Sequence, residues 1–217
     1  MSEEIDGYKT IDKRSEGEHK AKSSKFIGYL FPMKEESDLV DILQEIKSMH
    51  LKAGHHCYAY RLRDTHIYRH NDDGEPSGTA GKPIYNRLLS HELVDVCCVV
   101  VRYWGGTKLG TSGLIAAYKE GATLAINNAT ILQKYEEESL ELFFDYAIMG
   151  QLMETLKKLN INISEKSFDS NPSLTITTRA SVINETIVKI KADLLNRSVA
   201  DITDADVIEG LKFGIEE

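Results

Sequence analysis

Val94-Asp95-Val96-Cys97-Cys98-Val99-Val100-Val101-Arg102-Tyr103-Trp104 runs straight into Gly105-Gly106-Thr107-Lys108-Leu109-Gly110-Thr111-Ser112-Gly113. An almost continuously apolar, β-branched run predicts a central strand buried on both faces, so Cys97 and Cys98 should point to opposite sides of a sheet. The glycines predict a loop, and a helix is expected over 113–127. Upstream, alternating β-rich runs predict strands over 25–33, 55–62 and 65–71, with Arg63-Asp64 at a hairpin tip. Between the first two of these strands Ser37 reads as an N-cap, and Leu39, Val40, Leu43, Ile46 and Met49 recur at helical spacing. A further helix is expected from Pro83, because proline suits the first helical turn. The pattern is that of an α+β domain with a helix directly after its central strand.

The apolar rhythm lapses after Thr130 and Glu136-Glu137-Glu138 follows, so the sequence divides into a first domain over 1–130, a linker over 131–138 and a second domain over 139–217. In the second domain, strands are expected over 139–146, 161–167, 173–181 and 207–213, and helices over 149–159 and 184–196. Asp169-Ser170-Asn171-Pro172 turns the central hairpin. That β-α-β-β-α-β order is the ferredoxin-like split arrangement, which hosts many functions and identifies none.

At 217 residues, 41% hydrophobic and 28% charged, the chain has the make-up of a globular protein with a real core. No apolar run reaches the ~20 residues of a membrane helix, and the start Met1-Ser2-Glu3-Glu4-Ile5-Asp6 is acidic where a signal peptide is basic, so a cytoplasmic protein without membrane contact is expected. Three cysteines without a CxxC pair predict neither a disulfide framework nor a metal site, and no cofactor is expected. The net charge of −8 is uneven: residues 1–130 carry 17 Lys/Arg against 18 Asp/Glu, and residues 131–217 carry 9 against 16. Val96 to Lys119 holds no carboxylate at all. The acidic total argues against a reader of DNA sequence, while the first domain keeps a local basic surface.

Two segments can carry chemistry. In the first, Gly105, Gly106, Gly110 and Gly113 let backbone N–H groups gather at a helix start, Arg102 and Lys108 add charge, and Thr111 and Ser112 add hydroxyl donors. Together they read either as a cradle for phosphate or carboxylate or as a tight turn whose glycines serve backbone geometry alone. Lys108 precedes Gly110, so this is no Walker A loop, and no Rossmann spacing occurs. The second, Asp72-Asp73-Gly74-Glu75-Pro76-Ser77-Gly78-Thr79-Ala80-Gly81-Lys82-Pro83, is a long loop of the kind that is often functional. Asp72, Asp73 and Glu75 are expected to form the acidic wall of a shared concave site, flanked by His56, Ser77, Thr79 and Lys82; the alternative is that Asp73 or Glu75 salt-bridges Arg102 or Lys108 in a filled surface. His66 and His70, four apart on a strand, would lie ~13 Å apart and cannot share an ion. Tyr58, Tyr60, Tyr68, Tyr103 and Trp104, near Arg61, Arg63 and Arg69, read either as sheet packing or as a stacking surface for nucleic acid.

His55-His56-Cys57-Tyr58-Ala59-Tyr60, the Asp72–Pro83 segment and Arg102-Tyr103-Trp104-Gly105-Gly106-Thr107-Lys108-Leu109-Gly110 closely resemble the signatures of the YigZ/IMPACT family. Lys22-Ser23-Ser24-Lys25-Phe26-Ile27-Gly28 resembles that family's early strand. Tyr85, Trp104 and Ser112 depart from the family's usual aliphatic, phenylalanine and glycine, without loss of a charged group. The resemblance implies a first domain with the fold of the second domain of a small-subunit ribosomal protein, and a second domain like a late domain of elongation factor G. It implies a translation-associated role with RNA, the ribosome or a translation factor as partner. The residues themselves leave two other classes open: a small enzyme acting on a phosphorylated or carboxylated substrate, with Asp73 or Glu75 as acid or base, and a pure protein adaptor working through the acidic second domain.

Overall fold

The computed structural model describes residues 6–215. The chain opens with strands β1 (Gly7–Ile11), β2 (Ser15–Ala21) and β3 (Ser24–Pro32), then helix α1 (Asp38–Met49) and strands β4 (His55–Arg61) and β5 (Tyr68–Asn71). Helix α2 (Gly81–Ser90), strand β6 (Val96–Tyr103), helix α3 (Gly110–Asn127) and strand β7 (Ile131–Tyr135) follow. Five of the strands form one antiparallel sheet in the order β2-β3-β6-β4-β5, while β1 and β7 pair separately.

Strand β6 is central, as its apolar run requires, and every residue from Val96 to Arg102 is buried. Its side chains alternate between two cores. Val96, Cys98 and Val100 join Phe26, Leu30, Cys57 and Ala59 beneath α2 and α3, whereas Cys97, Val99 and Val101 join Tyr29, Tyr58 and Tyr60 beneath α1. The two adjacent cysteines therefore do face opposite ways. Burying each large aliphatic side chain of this strand contributes about 1.5–3 kcal/mol relative to leaving it in water.

Local departures from the sequence reading have local causes. Ser37 is not a cap: it already has helical backbone angles and makes no capping hydrogen bond, while the Asp38 carboxylate accepts from the N–H groups of Lys34 and Glu35. The buried seam of α1 runs through Ile42 and Ile46, with Leu39 and Leu43 partly buried beside it, and leaves Val40 and Met49 exposed. Helix α2 begins at Gly81 and not at Pro83, and α3 at Gly110 and not at Gly113. In both cases the helix reaches into the glycine-bearing loop.

The described residues fall into two compact units, one spanning Tyr8–Lys134 and the other joining the residues before Tyr8 to those from Tyr135 onward. The expected linker over 131–138 is replaced by strand. Ile131–Tyr135 is β7, and the acidic run Glu136-Glu137-Glu138 leads into β8 (Glu137–Phe144), where alternate side chains face water. The second unit continues with α4 (Met149–Lys158), β9 (Ile163–Ser167), β10 (Ser173–Arg179), α5 (Ile183–Leu194) and β11 (Leu211–Ile215). Its sheet runs β11-β8-β10-β9, all neighbours antiparallel, and the β-α-β-β-α-β element order is the one read from the sequence. Leu152, Leu156, Ile183 and Ile190 of the helices pack with Leu140, Leu142, Leu174 and Ile176 of the strands. No helix among the described residues is long and apolar enough to cross a membrane.

Candidate functional site

The loop between β5 and α2 is organised by its first carboxylate. Asp72 accepts hydrogen bonds from the backbone N–H groups of Gly78, Ala80 and Gly81 at 2.8–3.0 Å, which caps the start of α2. Burial alone pushes its carboxyl pKa up, but these three donors together outweigh burial and hold it below the ordinary carboxylate value. Thr79 closes the turn by donating its hydroxyl to the carbonyl of Pro76. Asp73 turns back to β4: its carboxylate accepts from the His56 N–H at 2.6 Å, and its carbonyl lies 2.8 Å from His55 Nδ1.

Glu75 is buried, and one of its oxygens holds the rest of the site together. Its Oε1 receives Arg102 Nη1 at 2.6 Å and the Tyr118 hydroxyl at 2.7 Å, with His55 Nε2 at 3.8 Å. Only 8% of the Arg102 side chain and 3% of that of Glu75 are exposed, so this is a desolvated ion pair. The guanidinium lies over the Phe26 ring at 5.6 Å, and Tyr118 meets the same ring edge-on at 5.0 Å. Burial, with Cys57 and Glu75 nearby, drives the Tyr118 phenol pKa far up, so the hydroxyl remains a donor. Cys57 points its thiol at the Asp72 carbonyl, 3.0 Å away, and burial likewise raises its pKa, so it offers no thiolate nucleophile.

The expected acidic and basic walls thus meet, but as a closed pair. Arg102 is committed to Glu75 and is withdrawn from the cradle assigned to it, and Asp72 is committed to the start of α2. What the 105–112 segment presents to solvent is its backbone together with Lys108, Thr111, Ser112 and Trp104, the last 64% exposed. The loop rests on the β2–β3 hairpin: Gly105 N–H donates to Ser24 Oγ, and Lys22 Nζ donates to the carbonyl of Lys108. A Cβ on Gly105 would stand 1.9 Å from the Ser23 carbonyl oxygen, so only glycine fits there. Gly106 and Gly110 have φ of +83° and +75° with open space around them. Gly113, the last of the expected cradle glycines, lies inside α3. Ser77 and Lys82 are exposed.

On the opposite face of the sheet His50 bridges two tyrosines, with Nε2 2.8 Å from the Tyr29 hydroxyl and Nδ1 2.9 Å from that of Tyr103. Burial, then the proximity of His56, lowers the pKa of His50, and burial lowers that of His56. Sequence reasoning missed this triad. The period-2 spacing that puts Tyr29 and Tyr103 on the α1 side is visible in sequence, but nothing there brings the end of α1 over them.

The model of the Impact N-terminal domain matches residues 22–126, which include both loops and the Glu75–Arg102–Tyr118 cluster. The chain is 34% identical over 168 residues to the IMPACT family member YvyE of Bacillus subtilis, covering 77% of each chain. It is 33% identical over 200 residues to an IMPACT family member of Haemophilus influenzae, covering 91% of this chain and 93% of the relative. A crystal structure described as that of a hypothetical protein superposes with a TM-score of 0.65 at 25% identity, over 98% of both chains. Alignment across both units at these identities, together with the family's own domain centred on the site, makes this chain a member of the IMPACT family.

Proposed function

We propose that this chain is a non-enzymatic, translation-associated protein that binds RNA, free or within the ribosome, through the 105–112 loop of its first unit. One contrast carries the reading. The start of α2 is filled by the carboxylate of Asp72, whereas α3 begins at Gly110, behind Leu109, with no side-chain cap and no acid in its first turn. Its leading N–H groups, Lys108 and the exposed indole of Trp104 lie in a stretch without carboxylates from Val96 to Lys119. An uncapped helix start attracts phosphate, and an exposed aromatic beside it offers a face for a base. Against the enzymatic alternative stand the engagement of Glu75 by Arg102 and Tyr118 and the burial of all three cysteines. The family resemblance supplies the translational setting.

Trp104 is the chain's single tryptophan, so its emission reports this loop alone. Titration with a structured RNA at about 50 mM salt is expected to quench it, with affinity falling steeply towards about 200 mM as counterions are released. Reversing one contact charge with Lys108→Glu should weaken binding about tenfold and flatten the salt dependence. An unchanged Trp104 emission at the lower salt, at any RNA concentration, overturns the reading.

A further inference from the structure

A second aromatic surface lies on the same unit, away from the loop. Tyr68 stands on β5, the outermost strand of the five-stranded sheet, and is 50% exposed. Its ring is stacked on that of Tyr85 of α2, with centroids 4.9 Å apart and planes 28° from parallel. The two rings have different jobs. Tyr85 is partly buried and packs against the core beneath α2, so the fold holds it in place. Tyr68 rides on top of it, its position fixed by the stack and by the strand.

The surroundings favour an anion. Arg61 is the register partner of Tyr68 on β4 and shares its face, donating through Nη1 to the Leu93 carbonyl. Lys82 precedes Tyr85 by three residues and therefore lies along the same side of α2. The start of α2 is pressed against the end of β5, since a Cβ on Gly81 would sit 2.6 Å from the Asn71 nitrogen. No carboxylate occurs in 65–71 or in 76–91. The nearby acids are occupied: Asp72 by three N–H groups, Glu75 by Arg102, and Glu92 by Lys9 at 2.6 Å.

We propose that the Tyr68–Tyr85 stack is a platform for an unpaired base of single-stranded RNA, with Arg61 and Lys82 flanking it as phosphate contacts. A duplex hides its base faces, so the platform selects single strands, whereas the 105–112 loop needs only phosphates. Tyr68 stands six register positions along the strands and two strands across the sheet from Arg102, beyond which the loop begins, roughly 20 Å along the strands at ~3.3 Å per residue, a span that an RNA of about 10 nucleotides exceeds. The proposal rests on the reading of this chain as an RNA binder, but on different residues.

The two surfaces are separated by their reporters. A single-stranded RNA of about 10 nucleotides carrying 2-aminopurine at its centre is titrated into the full chain, following both 2-aminopurine and Trp104 emission. With the native protein both signals are expected to change. Tyr68→Ala should abolish the 2-aminopurine change and weaken binding about tenfold, yet leave the Trp104 quench at saturation. Tyr68→Phe, which keeps the ring, should behave as the native protein, and a duplex of the same sequence should bind both variants equally. A 2-aminopurine response unaltered by Tyr68→Ala overturns the platform while leaving the loop reading intact. A response of 2-aminopurine without Trp104 quenching sinks the loop reading and keeps the platform, and silence of both reporters overturns the two together. Self-association that Tyr68→Ala abolishes, without any RNA signal at this position, would assign the surface to a second copy of the chain and overturn the proposal.

Discussion

Glu75 and Arg102 show what a sequence can and cannot say about single side chains. Their residue types and the convergence of their two segments at one end of the sheet are legible, because β6 must deliver Arg102 where the 72–82 loop returns. Their pairing is legible only as one of two outcomes, the other being an open site, since the choice depends on Glu75 turning inward at a loop position where carboxylates ordinarily stay in water. Both are now desolvated, and removing one partner strands the other. Glu75→Gln should therefore cost roughly 3–5 kcal/mol, read as a fall in the urea midpoint. Adding Arg102→Met to it should recover part of that loss, because the second change removes the orphaned charge. A single variant as stable as the native chain, or a double variant less stable than the single, would contradict this account. Asp72 teaches the same lesson: a carboxylate that reads as part of the acidic wall of a site is a helix cap, and only the N–H groups of Gly78, Ala80 and Gly81 reveal it.

Among elements, β6 and the helix after it were the most legible, because a buried apolar run and its glycine exit have few other solutions. Strand β2 escaped notice because Ser15–Ala21 reads Ser-Glu-Gly-Glu-His-Lys-Ala, a polar run that owes its place to what lies across it. That neighbour is α3, which rests directly on the backbone of β2 and β3. A Cβ on Gly28 would stand 2.1 Å from the Gly121 carbonyl oxygen, and one on Gly17 would stand 2.6 Å from Leu124. Gly28→Ala must push the helix off the sheet and is expected to cost about 1–3 kcal/mol or more. Gly106→Ala meets nothing, but φ of +83° disfavours any side chain, so about 1 kcal/mol is the expected penalty. Thermal melts of the two variants check the order, and a Gly28→Ala protein as stable as Gly106→Ala would refute this close contact. The β1–β7 pair was invisible for a different reason: its partners lie over a hundred residues apart, and neither is strongly apolar.

For the whole molecule, the lapse of apolar rhythm after Thr130 is what suggests a division in the sequence, but the placing of Asp6 with the residues after Tyr135 is not legible there. Asp6 belongs to the second unit. Its carboxylate accepts from the Ser181 N–H at 3.0 Å and from Arg179 at 3.1 Å, while the Arg179 guanidinium lies 3.6 Å from the Tyr135 ring centroid. Hydrogen bonding to Ser181 first, and then to Arg179, holds the Asp6 pKa down to about 2. An unfolded aspartate titrates near 3.9, so the stabilisation is present above about pH 4 and is lost as pH falls through about 2. Asp6→Asn should lower the melting temperature at neutral pH and flatten the acid limb between about pH 4 and 2. Melting curves in which the two proteins keep a constant difference down to the acid end would deny the linkage. The bond from Asp6 to Arg179 spans 173 residues of chain, which sets an order for synthesis. Asp6 leaves the ribosome ahead of every residue of the first unit, and the last strand that pairs there, β7, is complete at Tyr135. The partners of the Asp6 carboxylate, Arg179 and Ser181, are translated only after that, so the first unit folds while that carboxylate is still unpaired. Once β1 has paired with β7 and the Asp6 carbonyl has taken the Glu136 N–H, the loop still open runs from residue 136 to Arg179 and not from Asp6, so the order of synthesis shortens the loop that this contact has to close.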